Sequence, residues 1–221
     1  MTESLSAVIL PASDPVALLV AARMLRDGCV LAIPTDTVYG LAASIFRAEA
    51  IERIFRIKQR PPAAAVPILL ATAADLPLLV REIPLPAWSL INEFWPGSLT
   101  IVLAARSSVS RSITGGTGTV AARVPGARTT LELLATVGEP LIGTSANVHS
   151  QNPCLTADEV SANLGSLLDG VIVDDTVIGA GQPSTVVELR GDECLIHRLG
   201  GISAGELRRV VGLRVRVLSM S

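Results

Sequence analysis

The sequence contains little cysteine and few aromatic residues. Its 221 residues include 3 cysteines, and no two are spaced as CxxC, which argues against a zinc site and against a disulfide framework. Aromatic residues make up 3% of the chain, so Ala, Val, Leu and Ile must build the core, as expected where helices cover a sheet. Low cysteine use is typical of proteins in a reducing cytosol.

Long apolar runs and a strong net charge are also absent. No run reaches the roughly 20 residues that a membrane helix needs, and the first residues carry no basic signal segment. We therefore expect a cytoplasmic protein without a membrane partner. The formal net charge of −2 argues against a broad nucleic-acid-binding face, although a local basic groove stays compatible with it.

The cysteines and histidines do not suggest a catalytic or metal site. Cys29 and Cys194 lie among apolar residues and are interpreted as buried thiols, and Cys154 as a structural residue of a loop. His149 and His197 have no obvious partners. Because His197 alternates with apolar residues in a strand, a structural imidazole is favoured over a catalytic one, and no metal is expected.

Cap and turn residues divide the chain into helices and strands. A helix is predicted from Asp14-Pro15 through Leu25, stopping at Gly28. Further helices are predicted at 49–57, from Pro86 to near Trp95, at 130–137, and after capping boxes at Thr156 and Ser203. Strands are predicted at 30–33, 39–44, 66–70, 99–105, 119–124, 141–143, 171–173, 185–189 and 195–198. Several connections are too short for helical crossovers, so residues 1–221 are predicted to form one α/β domain with a mixed sheet.

Common catalytic motifs are missing, but polar residues cluster where apolar strands end. The sequence has no GxxxxGK[ST], GxSxG or HExxH. In open α/β sheets ligands bind where strand ends and loops converge; hydroxyls and an amide suit a small polar substrate, and Lys and Arg suit phosphates. The clustered residues are Thr35, Asp36, Thr37, Lys58, Arg60, Thr119, Arg123, Thr144, Ser145, Asn147, Ser184, Thr185 and Arg198.

Lys58 is the only lysine, against 17 arginines. One interpretation is that the composition favours arginine over lysine and that Lys58 is a lysine retained by chance. The other is that this position needs a compact ammonium on a flexible stem, a point charge for phosphate that a planar guanidinium would not replace.

Seven ordered motifs resemble those of the YrdC/Sua5 family. Residues 34–41 (PTDTVYGL) strongly resemble its PT(E/D)TVYGL signature. The other matches, to KxRP, FWPGxLT, VAxRxP, SAN, STV and RxG, are residues 58–61, 94–100, 120–125, 144–147, 183–187 and 197–200. The matches come in family order and cover about residues 15–210, and the chain resembles the family's short, single-domain form without a C-terminal extension.

This resemblance implies a fold and a reaction. The fold would be a twisted mixed parallel and antiparallel sheet flanked by helices, with a concave basic cleft. The reaction would be that of L-threonylcarbamoyladenylate synthase, a nucleotidyltransferase that makes threonylcarbamoyl-AMP and pyrophosphate from L-threonine, bicarbonate and ATP for tRNA t6A37 modification. Mg²⁺ would arrive with ATP, and a threonylcarbamoyl-transferase complex would act downstream.

The resemblance also implies roles for individual residues. Threonine would be held by Thr35, Arg123, Ser145 and Ser184. ATP would be held by Lys58, Thr119, Asn147 and Arg198, with Arg60 beside the phosphates and Lys58 and Arg60 as the catalytic cations.

Two departures and two alternatives accompany the resemblance. No role is transferred to residues 62–70, which are small and apolar where the family often has polar residues, and Asp36 replaces a common Glu.

Carbamoyl transfer through carbamoyl-adenylate, as in hydrogenase maturation, is disfavoured because zinc-finger and acylphosphatase-like modules are absent. An RNA-binding module, for tRNA or double-stranded RNA, is disfavoured by the net charge and by the lack of an aromatic-basic platform.

Overall fold

The computed structural model describes residues 7–59, 66–148, 151–174 and 181–218. Its helices are α1 Pro15–Arg26, α2 Ala48–Lys58, α3 Leu85–Phe94, α4 Arg111–Thr114, α5 Arg128–Val137, α6 Ala157–Leu164 and α7 Ala204–Val211. Its first strands are β1 Val8–Pro11, β2 Leu31–Ile33, β3 Gly40–Ser44, β4 Ile68–Leu69, β5 Leu99–Ala104 and β6 Thr119–Arg123. The later strands are β7 Leu141–Ser145, β8 Gly170–Val173, β9 Thr185–Arg190, β10 Glu193–Arg198 and β11 Arg214–Val217. Short 3-10 helices cover Ala73–Leu78 and Gly165–Leu167.

All of these strands join in one sheet, in the order β1-β8-β2-β3-β7-β4-β6-β5-β9-β10-β11. The pairs β1–β8, β2–β8, β4–β6, β5–β9 and β10–β11 are parallel. The pairs β2–β3, β3–β7, β4–β7, β5–β6 and β9–β10 are antiparallel. The predicted mixed sheet flanked by helices is therefore confirmed, whereas the basic character of a cleft stays a prediction.

Local caps explain where several helices begin. The Asp14 carboxylate accepts a hydrogen bond from the Val16 amide at 2.9 Å, which starts α1 as predicted. The predicted capping box of Ser203 is complete at α7. The box predicted at Thr156 is only half formed, because Glu159 accepts from the Leu155 amide at 2.7 Å instead of reaching the Thr156 amide.

The two outermost strands were not predicted. Strand β1 buries only Leu10 of its four residues, so it has no alternating apolar pattern to recognise. Strand β11 (RVRV) is mostly exposed and joins the sheet only through β10. The strand predicted at 66–70 is shorter, covering Ile68–Leu69, and the single turn α4 lies between two predicted strands where no helix was predicted.

Alternate residues of the strands face two different cores. Leu31 and Leu141 belong to a smaller core with helices α1 and α5, whereas Ala32 and Ile142 belong to a larger core on the other face. Because side chains alternate along a strand, Gly143 and Ser145 lie on the same face as Leu141. The sheet face on which α1 and α5 pack therefore continues along β7, past Leu141, to Gly143 and Ser145.

The three cysteines are free thiols. Cys194 and Cys154 are buried, as expected for the former, but Cys29 is only half-buried, so the prediction that it is a buried thiol is wrong. Burial raises the pKa of Cys194 to about 11, which makes this thiol inert at neutral pH.

No helix within the described ranges combines the length and apolar character needed to cross a membrane.

Candidate functional site

A cavity of about 800 Å³ opens on the sheet face that α1 and α5 leave uncovered. We call it the site cavity. Strands β5, β6 and β9 contribute alternate residues to it, as the period of a strand requires, and β4 and β7 contribute Leu69 and residues 143–145. Eight of the predicted site residues line it together: Thr35, Lys58, Thr119, Arg123, Ser145, Asn147, Ser184 and Arg198. Arg60, which was predicted to be a catalytic cation, lies outside the described residues.

Lys58 ends α2 and reaches the segment that follows β7. Its side chain is buried, with 3% of the residue exposed. The ammonium donates hydrogen bonds to the Ser145 carbonyl oxygen at 2.6 Å and to Asn147 Oδ1 and carbonyl oxygen at 2.7 and 3.0 Å. The lysine thereby holds the end of β7 against α2 and places its charge at the cavity wall.

Ser145 and Asn147 are part of the same network. Ser145 Oγ donates to Asn147 Oδ1 at 2.7 Å, so this amide oxygen accepts from both the lysine and the serine. The Asn147 amide group donates to the Gln151 carbonyl oxygen at 2.5 Å. Ser145 Oγ also accepts from the Lys58 ammonium at 3.4 Å, which leaves it one lone pair as an acceptor for a ligand amine or hydroxyl.

Arg123, at the end of β6, is paired within the protein. Its side chain is 7% exposed, and its Nη2 lies 2.6 Å from Asp36 Oδ1. It also donates to Thr37 Oγ1 at 3.1 Å and to the Gly97 carbonyl oxygen at 2.8 Å. Burial lowers the pKa of Arg123, and the Asp36 carboxylate partly opposes that shift. These bonds use three of the five N–H groups of a guanidinium, so donors are left for a ligand carboxylate.

The loop between β2 and β3 is held by a chain of hydroxyl groups. Arg123 donates to Thr37 Oγ1, whose oxygen lies 2.9 Å from Thr35 Oγ1. Thr35 in turn donates to the Val38 carbonyl oxygen at 2.6 Å. Both threonines are buried, so the loop presents fixed polar atoms to the cavity.

Ser184 and Arg198 meet directly at the other side of the cavity. Arg198 donates from Nη2 to Ser184 Oγ and from Nε to the Ser184 carbonyl oxygen, both at 3.0 Å. Ser184 Oγ also lies 2.8 Å from Thr100 Oγ1. A residue assigned to threonine thus touches one assigned to ATP, so the two predicted halves of the site are adjacent.

The lining residues that were missed as site candidates include three with ionisable side chains: Glu188, Arg190 and His197. Residues 184, 186, 188 and 190 alternate on β9, a spacing that could have linked Glu188 to Ser184. A register shift between Ile196 and Arg198 on β10 brings two consecutive residues, 197 and 198, to the cavity. His197, which was predicted as a structural imidazole, bonds Glu188 at 2.7 Å on the cavity wall, so it has a partner within the protein.

Two further residues come from the segment to which no role was transferred. Pro67 and Leu69 line the cavity on β4 and just before it. Their neighbour across the sheet is Gly143, where a Cβ atom would lie 2.3 Å from Leu69 Cγ. The apolar side chains of this segment form the floor of the cavity and offer no polar group to a ligand.

Within the described ranges, no three His, Cys, Asp or Glu side chains are arranged to hold a metal ion. Hydroxyls, an amide and cations make up most of the polar lining. Such a lining suits a polyanionic ligand together with a small zwitterion.

Gly200 keeps the Ser184 segment in place, and we expect its replacement by alanine to be destabilising. A Cβ atom there would lie 2.0 Å from the Pro183 carbonyl oxygen, so the backbone before Ser184 would have to move. Thermal unfolding should show a lower midpoint for Gly200→Ala. The matched control is Gly205→Ala, where the nearest atom is 3.8 Å away, and exposed helical positions favour alanine by about 1 kcal/mol. Equal stability of the two variants would contradict this explanation.

Comparisons with known proteins identify the family of this chain. The Sua5/YciO/YrdC family model, described as "Telomere recombination", matches residues 23–200. Threonylcarbamoyl-AMP synthase of Pyrococcus abyssi is 36% identical over 193 residues, which cover 87% of this chain and 56% of that protein. The same-named protein of Vibrio cholerae is 35% identical over 177 residues, covering 79% of this chain and 94% of that protein. The chain belongs to the Sua5/YciO/YrdC family.

A solved structure extends the likeness to the backbone. The crystal structure of P. abyssi Sua5 complexed with L-threonine superposes with a TM-score of 0.89 and 33% identity, over 96% of this chain and 63% of that one. The chain thus spans little more than half the length of the P. abyssi relative that it matches.

Proposed function

We propose that this chain is an L-threonylcarbamoyladenylate synthase, a nucleotidyltransferase that forms threonylcarbamoyl-AMP and pyrophosphate from L-threonine, bicarbonate and ATP. It would act in the cytoplasm and supply its product to a threonylcarbamoyl-transferase complex that modifies tRNA. The observation that carries the proposal is the convergence in one cavity of the eight described residues implied by the family motifs. Relatives of that name at about 35% identity support it.

The cavity can bind the substrates through complementary charge. Arg123, oriented by Asp36 and Thr37, would bind the threonine carboxylate with its remaining donors. Ser145 and Ser184 would add hydrogen bonds to the amino acid. Lys58 would bind the phosphates of ATP, and Arg198, Thr119 and Asn147 would make further contacts to the nucleotide.

The chemistry needs no nucleophile from the protein. The threonine amine reacts with CO₂ and loses a proton, or with bicarbonate and releases water, to give a carbamate, and a carbamate oxygen then attacks the α-phosphorus. The P–O bond to the β-phosphate breaks, and pyrophosphate leaves. The protein's contribution would be to hold carbamate and α-phosphate together and to stabilise negative charge on the phosphate oxygens.

Mg²⁺ would enter this reaction as part of the substrate, bound to the phosphates of ATP. Magnesium commonly binds through substrate phosphates and waters rather than in an all-protein cage. In the cavity lining, Glu188 is the only carboxylate among the described residues, and Arg190 and His197 already bond it. The cavity therefore fits a metal that travels with the nucleotide.

Pyrophosphate release is expected to require threonine and bicarbonate together. A coupled phosphate assay on the purified protein with ATP and Mg²⁺ would measure the rate with each substrate omitted in turn, after removal of dissolved CO₂. Release only with the full mixture is the expected result, because the carbamate is the nucleophile. Equal release from ATP alone would contradict the proposal, and RNA binding without any turnover would favour the RNA-binding alternative.

A further inference from the structure

Glu188, Arg190 and His197 form a polar cluster on the cavity wall that no family motif assigned to a ligand. Glu188 Oε1 accepts from Arg190 Nε at 2.6 Å, and Oε2 lies 2.7 Å from His197 Nε2. The Glu188 side chain is 10% exposed, against 65% for Arg190 and 38% for His197. The carboxylate is thus clamped from two sides and faces the cavity with a small, fixed surface.

The cluster holds Glu188 as a charged acceptor. Burial would raise the pKa of Glu188, but the hydrogen bonds from Arg190 and His197 outweigh it and lower the pKa. Because an ionised carboxylate only accepts hydrogen bonds, His197 Nε2 must carry the proton in this contact. A carboxylate offers about four acceptor positions, and the two neighbours occupy one on each oxygen. The remaining positions can accept from a ligand.

The position of the cluster indicates which part of a nucleotide it would meet. Lys58, which is expected at the phosphates, contacts the end of β7. Strand β9 lies four strands farther along the sheet, so β7 and β9 are about 19 Å apart at the usual interstrand spacing. Glu188 of β9 pairs with Val102 of β5, and Val102 pairs with Ala121 of β6. Ala121 lies on the cavity side of β6, between Thr119 and Arg123. A nucleotide with its phosphates at Lys58 and its nucleoside at β5 and β9 would span the cavity and place its ribose near Glu188.

The charge of Glu188 limits its partner to a hydrogen-bond donor. A carboxylate repels phosphate oxygens, so the triphosphate itself is an unsuitable neighbour. A ribose offers two adjacent hydroxyl donors, which match a carboxylate with one open position on each oxygen. Acidic side chains bind ribose hydroxyls in this way in dinucleotide-binding folds.

We propose that Glu188 is a specificity-determining residue that accepts hydrogen bonds from the ribose hydroxyls of the nucleotide, with Arg190 and His197 as the positioning residues that orient it. This assignment rests on the proposed use of ATP. It makes the protein selective for ribonucleotides over deoxyribonucleotides.

Calorimetric titration with ATP and 2′-deoxy-ATP tests this without any turnover. The wild-type protein should bind ATP about 10-fold or more tightly than 2′-deoxy-ATP, as expected for hydrogen bonds to a charged group. In Glu188→Gln, ATP should bind more weakly and the ratio should fall toward one, with threonine affinity unchanged. The matched control is Glu193→Gln on the same hairpin, whose partner is Arg216 at 3.2 Å and which does not line the cavity. It should keep the wild-type ratio.

The outcomes separate this inference from the proposed function. A wild-type protein that does not discriminate, or a Glu188→Gln variant that keeps full discrimination while folded, would overturn the ribose assignment. So would weaker ATP binding with an unchanged ratio, which would indicate the base or the phosphates as the partner. Discrimination that depends on Glu188 but without pyrophosphate release in the complete mixture would leave the ribose contact standing and overturn the synthase.

Discussion

Replacing Lys58 with alanine is expected to lower turnover by about 100-fold or more, the loss typical for one positioned donor in an active site. The ammonium would be removed from the cavity wall, and the oxygens of Ser145 and Asn147 that it bonds would lose a donor. Steady-state pyrophosphate release and ATP titration would measure both consequences. ATP affinity should fall as well, because the phosphates lose a nearby positive charge.

A second substitution, Lys58→Arg, tests whether the positive charge of the side chain is sufficient or its compact shape is also needed. Lys58→Arg should restore only part of the activity, because a planar guanidinium cannot occupy the 2.6–3.0 Å contacts of a compact ammonium. Arg56→Ala is the matched control, since Arg56 lies in the same last turn of α2 and is exposed. Wild-type kinetics for Lys58→Ala would show that the single lysine is a compositional remnant.

Arg123→Ala is expected to weaken threonine binding by roughly 2–5 kcal/mol, the usual cost of removing one partner from a desolvated charge pair. ATP binding should change much less. Arg198→Ala should show the reverse, because its motif position belongs to the nucleotide. Calorimetric titration of each variant with each ligand would measure both effects.

The ion pair with Asp36 requires controls for folding. Arg123→Ala leaves the Asp36 carboxylate, which is 21% exposed, without its cation, and an unpaired charge at that depth destabilises the fold. Arg123→Ala paired with Asp36→Asn removes that charge and should recover stability without recovering threonine affinity. Arg128→Ala, an arginine whose side chain is 91% exposed, should behave as wild type. Equal effects of the Arg123 and Arg198 variants on both ligands would contradict the division of the cavity.

Residue patterns were sufficient for most of the fold and for much of the site cavity. The cap at Asp14 and the apolar strand runs are local signals, so α1 and the central strands were predicted close to their positions. The outer strands β1 and β11 were missed because they bury little, and burial is what creates an apolar pattern. Motif positions correctly identified Thr35, Lys58, Arg123 and Arg198 as residues of one cavity.

The partners of those residues were beyond the sequence because they depend on register and on distant contacts. Asp36 and Arg123 are 87 residues apart and meet only through the order of the strands. Glu188 and His197 meet across a hairpin whose register shifts after Ile196, and no local pattern indicates such a shift. The sequence therefore identifies which side chains line the cavity better than it identifies what orients them.

The direct test of the synthase proposal is the identity of the product. The purified chain would be mixed with ATP, Mg²⁺, L-threonine and isotopically labelled bicarbonate, and the products would be separated and weighed by mass spectrometry. We expect an AMP adduct that contains threonine and one labelled carbon, formed in equal amount with pyrophosphate and lost when threonine is omitted. AMP or ADP without such an adduct would contradict the assignment of this cavity to threonylcarbamoyl-AMP synthesis.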